Sequence, residues 1–199
     1  IRAIVPLGRG ELLILDGATA RMTGTTGGGR VLGSDPLPVY PVDQGAELLS
    51  DSSLLVAGQG STMEHVGQSL FHVSREGEVL SGFGGMSSGD LRNRPRARTS
   101  QWATATDDGT VWYVERMRLA LRKWSLEGEP LDSALLQREW FYQVEGLEWN
   151  GRDERQMPVV PETQVVDLDV DPEGRVWIAA LIPDADWEDA VDGRHLDPR

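Results

Sequence analysis

The sequence predicts an all-β chain built from repeats of a four-stranded antiparallel sheet, and three observations predict it. One hairpin pattern, a β-prone run, a polar turn and a second β-prone run, occurs four times. Gly and Pro, 23 and 11 of the 199 residues, fall between short apolar runs. No stretch sustains an apolar period of a helix; the best, near 186–191, is too short to be stable.

The first copy is Ile1 to Leu15 (IRAIVPLGRGELLIL), with Arg9-Gly10 at its turn. The second, Gly45 to Ala57 (GAELLSDSSLLVA), turns through Asp51-Ser52-Ser53 in place of a glycine. Gln101 to Val114 (QWATATDDGTVWYV) and Val165 to Ala180 (VVDLDVDPEGRVWIAA) turn at Asp108-Gly109 and Glu173-Gly174. In each of these pairs the glycine supplies the positive φ that a tight hairpin needs. A further hairpin follows the first three copies, at Gly29 to Leu32, Ser74 to Leu80 and Ser125 to Leu131.

With Leu12, Leu54, Val111 and Val176 taken as equivalent, the copies start 42, 57 and 65 residues apart. The shortest spacing fits four short strands and their turns, and the excess is loop, notably 58–67 and 138–161. Val111 to Val114 and Val176 to Ala179 are almost wholly apolar, which predicts strands covered on both faces. In Val166 to Asp171 apolar residues and carboxylates alternate, which predicts one covered face. A single small sheet cannot bury two faces alone, so the repeats must stack. Stacked radially about an axis, four-stranded antiparallel blades make a β-propeller. The predicted units are 1–36, 37–91, 92–140 and 156–199, about three and a half blades of an open, partial ring.

These repeats resemble the bacterial six-bladed β-propellers related to NHL-type repeats, whose blades carry a D-x-x-G-x-[LV]-W-[VI] core. Asp171 to Ile178 matches that core, and Asp107 to Val114 (DDGTVWYV) resembles it through Gly109, Val111 and Trp112. Gly77-Glu78-Val79-Leu80 and the Gly-rich stretch Gly82 to Leu91 resemble the segment that follows it, whereas Leu12-Leu13 and Leu54-Leu55 depart from the Trp pattern. Six blades need about 250 residues. The resemblance therefore implies an incomplete ring, a fragment to be completed by the remaining blades of its parent chain. It also implies an extracytoplasmic location.

Composition narrows the chemistry. The absence of Cys excludes disulfide scaffolds and cysteine nucleophiles. Thirty-two acidic against 19 basic side chains, a net charge of −13, exclude a nucleic-acid partner. No apolar run reaches the length of a membrane-spanning helix. His65, His72 and His195 lack the spacing of a zinc site. Gly85 to Gly89 has the G-x-S-x-G form of a nucleophile elbow, but Pro95 bars the helix that must follow it. Asp167-x-Asp169-x-Asp171 opens like a calcium loop, yet Pro172 and Ile178 stand where an EF-hand needs Gly and Glu.

Two features predict binding. Arg92, Arg94, Arg96 and Arg98 alternate through an extended stretch and put four guanidiniums on one side. Such a stripe suits a carboxylate or phosphate partner, or the acids of neighbouring blades, Asp184 to Asp192 among them. Trp140, Phe141, Tyr142 and Trp149 in the loop 138–161 suit a sugar or peptide, or serve to pin the loop to its own blade. The expectation is a non-enzymatic propeller that binds a small molecule, glycan or protein at one mouth. Arg92, Arg94, Arg96, Arg98, Trp140, Tyr142 and Trp149 are its binding residues, with no catalytic residue, metal ligand or cofactor. The alternatives are a segment of a larger surface protein with a purely structural role, and a metal-dependent hydrolase resembling gluconolactonase and regucalcin. The latter resemblance implies a divalent ion held on the axis, for which Glu47, Asp167, Asp169 and Asn150 have suitable side chains.

Overall fold

The computed structural model describes residues 1–84, 101–115, 119–136 and 163–182. Among the described residues, fourteen strands and one 3-10 turn, Met63–His65, make up the regular structure. The first sheet orders β1 (Ala3–Gly8), β2 (Glu11–Asp16), β3 (Arg21–Thr26) and β4 (Val31–Pro36) as an antiparallel meander. The second repeats it with β5 (Val39–Leu48), β6 (Leu54–Gly60), β7 (Leu70–Val73) and β8 (Val79–Phe83). The third does so with β9 (Gln101–Ala105), β10 (Thr110–Glu115), β11 (Ala120–Ser125) and β12 (Pro130–Leu135). In the fourth, β13 (Gln164–Val170) pairs with β14 (Val176–Leu181). The chain is an open, partial β-propeller of four-stranded antiparallel blades.

The turns form as their residues dictate. Arg9 and Gly10 have φ of 51° and 77°, and Gly109 and Gly174 have 77° and 78°. Ser52 takes φ of 70° where the second copy has no glycine, and Asp51 holds that turn by accepting the Ser53 N–H at 2.9 Å. Asp108 and Asp171 brace the third and fourth turns in the same way, accepting the main-chain N–H groups of Thr110 and Arg175.

Three apolar seams stack the sheets, and alternation along single strands explains them. Leu54 and Val56 of β6 pack with Val5, Leu13 and Leu15 of the first sheet. Leu55 and Ala57 point the other way, onto Val111 and Tyr113 of β10. On the far side of β10, Val114 and the partly buried Trp112 meet Leu168, Val176 and Ile178. Each fully buried Leu, Val or Phe contributes about 1.5–3 kcal/mol, so the seams hold the stack together. Polar groups fix its register: Ser81 donates to the Leu126 carbonyl between the second and third sheets. The Arg75–Glu11 ion pair at 3.4 Å spans the first seam but lies in solvent and adds little.

Two expectations need correction. The apolar run of β14 is covered on one face only, because Trp177 is 60% exposed and Leu181 61%. Its other face has no sheet against it among the described residues. The loop predicted over 58–67 also starts later, since β6 runs on to Gly60.

Candidate functional site: one level of the inner strands

Strands β1, β5, β9 and β13 open their sheets and neighbour one another, so they form the inner wall of the ring. Strand register places one residue from each at a common level. Val5 pairs with Leu13, Glu47 with Leu55, Thr104 with Trp112 and Asp169 with Trp177. The same four residues stand seven positions before Leu12, Leu54, Val111 and Val176.

Glu47 lies next to the last residue of β5, half-buried, with Ala46 and Leu48 packed into the first seam on either side. That alternation turns its side chain toward the third sheet. Glu47 Oε2 accepts the Ala105 N–H at 3.0 Å. Because Thr106 N–H bonds the Thr110 carbonyl, the alternation of an antiparallel pair puts the Ala105 N–H on the free edge of β9. Glu47 therefore satisfies a main-chain donor that no strand can reach. Burial pushes the Glu47 carboxyl above its ordinary value, and the negative charge of Asp169 adds to this. Hydrogen bonds from Ala105 and the Thr104 hydroxyl act in the opposite direction. Thr104 and Val5 are buried, whereas Asp169 is exposed.

The level thus brings together two carboxylates from different sheets, a hydroxyl and an apolar wall. Two acids at one level draw positive charge toward it. Asp167 lies two residues before Asp169 on the same exposed face, and its Oδ1 accepts the Leu168 N–H at 2.9 Å. Among the described residues no three His, Asp or Glu side chains gather where they could hold a metal ion.

The residues predicted to bind ligand, Arg92, Arg94, Arg96, Arg98, Trp140, Tyr142 and Trp149, lie outside the described residues. So do Gly85 to Gly89, Asn150 and Asp184 to Asp192. A depression of about 530 Å³ runs over β11 and β12, lined by Leu121, Trp124, Leu131 and Leu135 among others. It sits on the outer strands, away from the carboxylates.

A Ser–His contact also went unread in the sequence. Ser53 Oγ lies 2.7 Å from His72 Nε2 and 2.5 Å from Asp51 Oδ1. Nucleophile activation needs the imidazole to take the hydroxyl proton. Here the Asp51 carboxylate takes that bond, so His72 Nε2 donates to Ser53 and cannot act as its base. The trio ties the inner turn to β7.

No protein-family profile and no curated protein sequence matches the chain. Solved structures do, and they are β-propeller proteins. A protein of unknown function from Bacteroides caccae superposes with a TM-score of 0.53 at 20% identity, over 89% of this chain and 52% of its own. A catalytically inactive virginiamycin B lyase from Staphylococcus aureus with quinupristin gives 0.51 at 15%, over 89% and 62%. A streptogramin B lyase gives 0.50 at 16%, over 89% and 61%. The chain spans between half and two thirds of the length of these structures. The likeness is one of fold.

Proposed function

We propose that the chain is a non-enzymatic binding propeller that takes a cationic group of a ligand or protein partner at the axial mouth. The single observation that supports this reading is that Glu47 and Asp169 stand at the same register level on two separate inner strands. Two acids brought together raise the local negative potential, and a Lys, Arg or amine relieves it. The net charge of −13 steers the same partners toward the chain. The proposal includes an extracytoplasmic location, which the resemblance to bacterial propellers implies.

A hexa-arginine peptide titrated by calorimetry tests the reading. Glu47→Gln combined with Asp169→Asn is expected to weaken binding at least tenfold. Glu129→Gln with Asp132→Asn, which removes the same charge from the exposed β11–β12 hairpin, is expected to change it less than twofold. Equal losses from the two pairs would reduce the effect to bulk charge and end the proposal. The metal-dependent hydrolase is the second reading, because it would use the same two carboxylates with a third oxygen ligand. A rise in melting temperature with millimolar calcium, lost in the Glu47 variant, would favour it.

A further inference from the structure

The seam between the second and third sheets is pinned at two places. Apolar contacts of Leu55 and Ala57 with Val111 and Tyr113 hold it together but carry no direction. On the outer strands, the Ser81 hydroxyl donates to the Leu126 carbonyl. On the inner wall, Glu47 Oε2 accepts the Ala105 N–H at 3.0 Å, and the Thr104 hydroxyl donates to the same carboxylate. The outer pin joins neutral groups. The inner pin is a carboxylate, so its strength depends on charge.

An ionised carboxylate accepts a main-chain N–H about twice as strongly as a neutral group does. Two things oppose that charge where Glu47 stands, its partial burial and the negative charge of Asp169 on β13. Val5 at the same level and Leu55 opposite Glu47 are buried and apolar, so neither relieves it. A charged Glu47 with no counter-charge gains by leaving the Ala105 N–H for solvent. A positive group placed at this level removes that gain and leaves the charge-assisted bond in place.

We propose that a cation bound at this level fastens Glu47 to the Ala105 N–H and so braces the second sheet against the third. The inference rests on the cation-binding role proposed above and adds a consequence to it, that occupancy at the axis stiffens one seam. Glu47 is then a positioning residue for β9 as well as a binding residue. The coupling is reciprocal, so a chain already fastened at Ala105 binds the cation more tightly.

Amide hydrogen exchange followed by nuclear magnetic resonance at pH 7, with and without the hexa-arginine peptide, tests the inference. The Thr106 N–H is the internal reference, since it bonds the Thr110 carbonyl at 2.8 Å and does not involve Glu47. General stabilisation of the folded chain by a ligand slows both amides alike. Saturating peptide is expected to slow Ala105 at least threefold more than Thr106. In Glu47→Gln, which keeps an acceptor oxygen without the charge, the ratio of the two rates is expected to stay constant as peptide is added. Peptide that binds by calorimetry yet leaves the ratio unchanged, or speeds Ala105, would overturn the inference while the binding role stands. An equal relative slowing of Ala105 in Glu47→Gln would overturn it too. No binding by calorimetry would remove the binding role, and the inference with it.

Discussion

Glu47 Oε2 accepts the Ala105 N–H at 3.0 Å, so a carboxylate from one inner strand closes the free edge of the next. Removing that acceptor leaves a half-buried main-chain donor without its partner. Glu47→Ala is expected to cost about 1–3 kcal/mol in urea unfolding. Glu47→Gln keeps an acceptor oxygen and removes the charge, so it should lie within about 1 kcal/mol of the parent. The sign of its pH dependence follows from the raised carboxyl. The folded chain holds this proton more tightly than the unfolded chain does. Ionising Glu47 therefore costs stability as pH rises from the ordinary glutamate range through the raised value. Relative to the parent, the Gln variant should gain between pH 4 and pH 7. A constant difference across that range would show that burial does not disfavour the charge.

The inner wall was partly legible in the sequence. Turn chemistry at Asp108-Gly109 and Glu173-Gly174 locates the hairpins because positive φ has few residue solutions. The column of Val5, Glu47, Thr104 and Asp169 was present as a constant offset of seven, but residue type alone does not mark it. Four different side chains share that position. What makes Glu47 distinctive is the free edge of β9, and this exists only once two blades are side by side. The Ser53–His72 bond is hidden for a similar reason, since it depends on the pairing of β6 with β7. The exposure of Trp177 is opposite to what its apolar run predicts. A pattern records the face a strand offers, not whether a neighbour is there to cover it.

Acid should weaken the chain through its turns. Asp108 is held below its ordinary value first by the Thr106 hydroxyl and then by the Thr110 N–H. For Asp171 the Trp177 indole comes first, followed by Arg175, and for Asp51 the Ser53 hydroxyl and N–H. In each case the unfolded chain takes up the proton before the folded one. This stability is fully present above the ordinary aspartate range and is lost as pH falls through the lowered values. Urea midpoints measured from pH 6 to pH 2 should fall most steeply below pH 4. Asp108→Asn and Asp171→Asn should each lower the midpoint at pH 6 and flatten the fall below pH 4. An unchanged slope in both would place the acid sensitivity elsewhere.

Two glycines with similar backbone angles should respond differently to the same substitution. Gly174 has φ of 78° and open space around a Cβ, so Gly174→Ala meets only the left-handed backbone cost, about 1–2 kcal/mol. Gly174→Asn should cost less, because Asn tolerates that region. Gly77 has φ of 90°, and a Cβ there would stand 2.7 Å from the Pro36 carbonyl oxygen at the end of β4. That oxygen belongs to the main chain of the first sheet, so it cannot swing aside as a flexible side chain would. Relief requires the first seam to open, which loosens the packing of Leu54, Val56 and Phe71. Gly77→Ala should therefore cost more than Gly174→Ala, and Gly77→Asn should bring no rescue because the clash remains. Equal losses at the two sites in chemical unfolding would show that the Pro36 contact yields without cost, and that the first and second sheets are less firmly locked than their shared core implies.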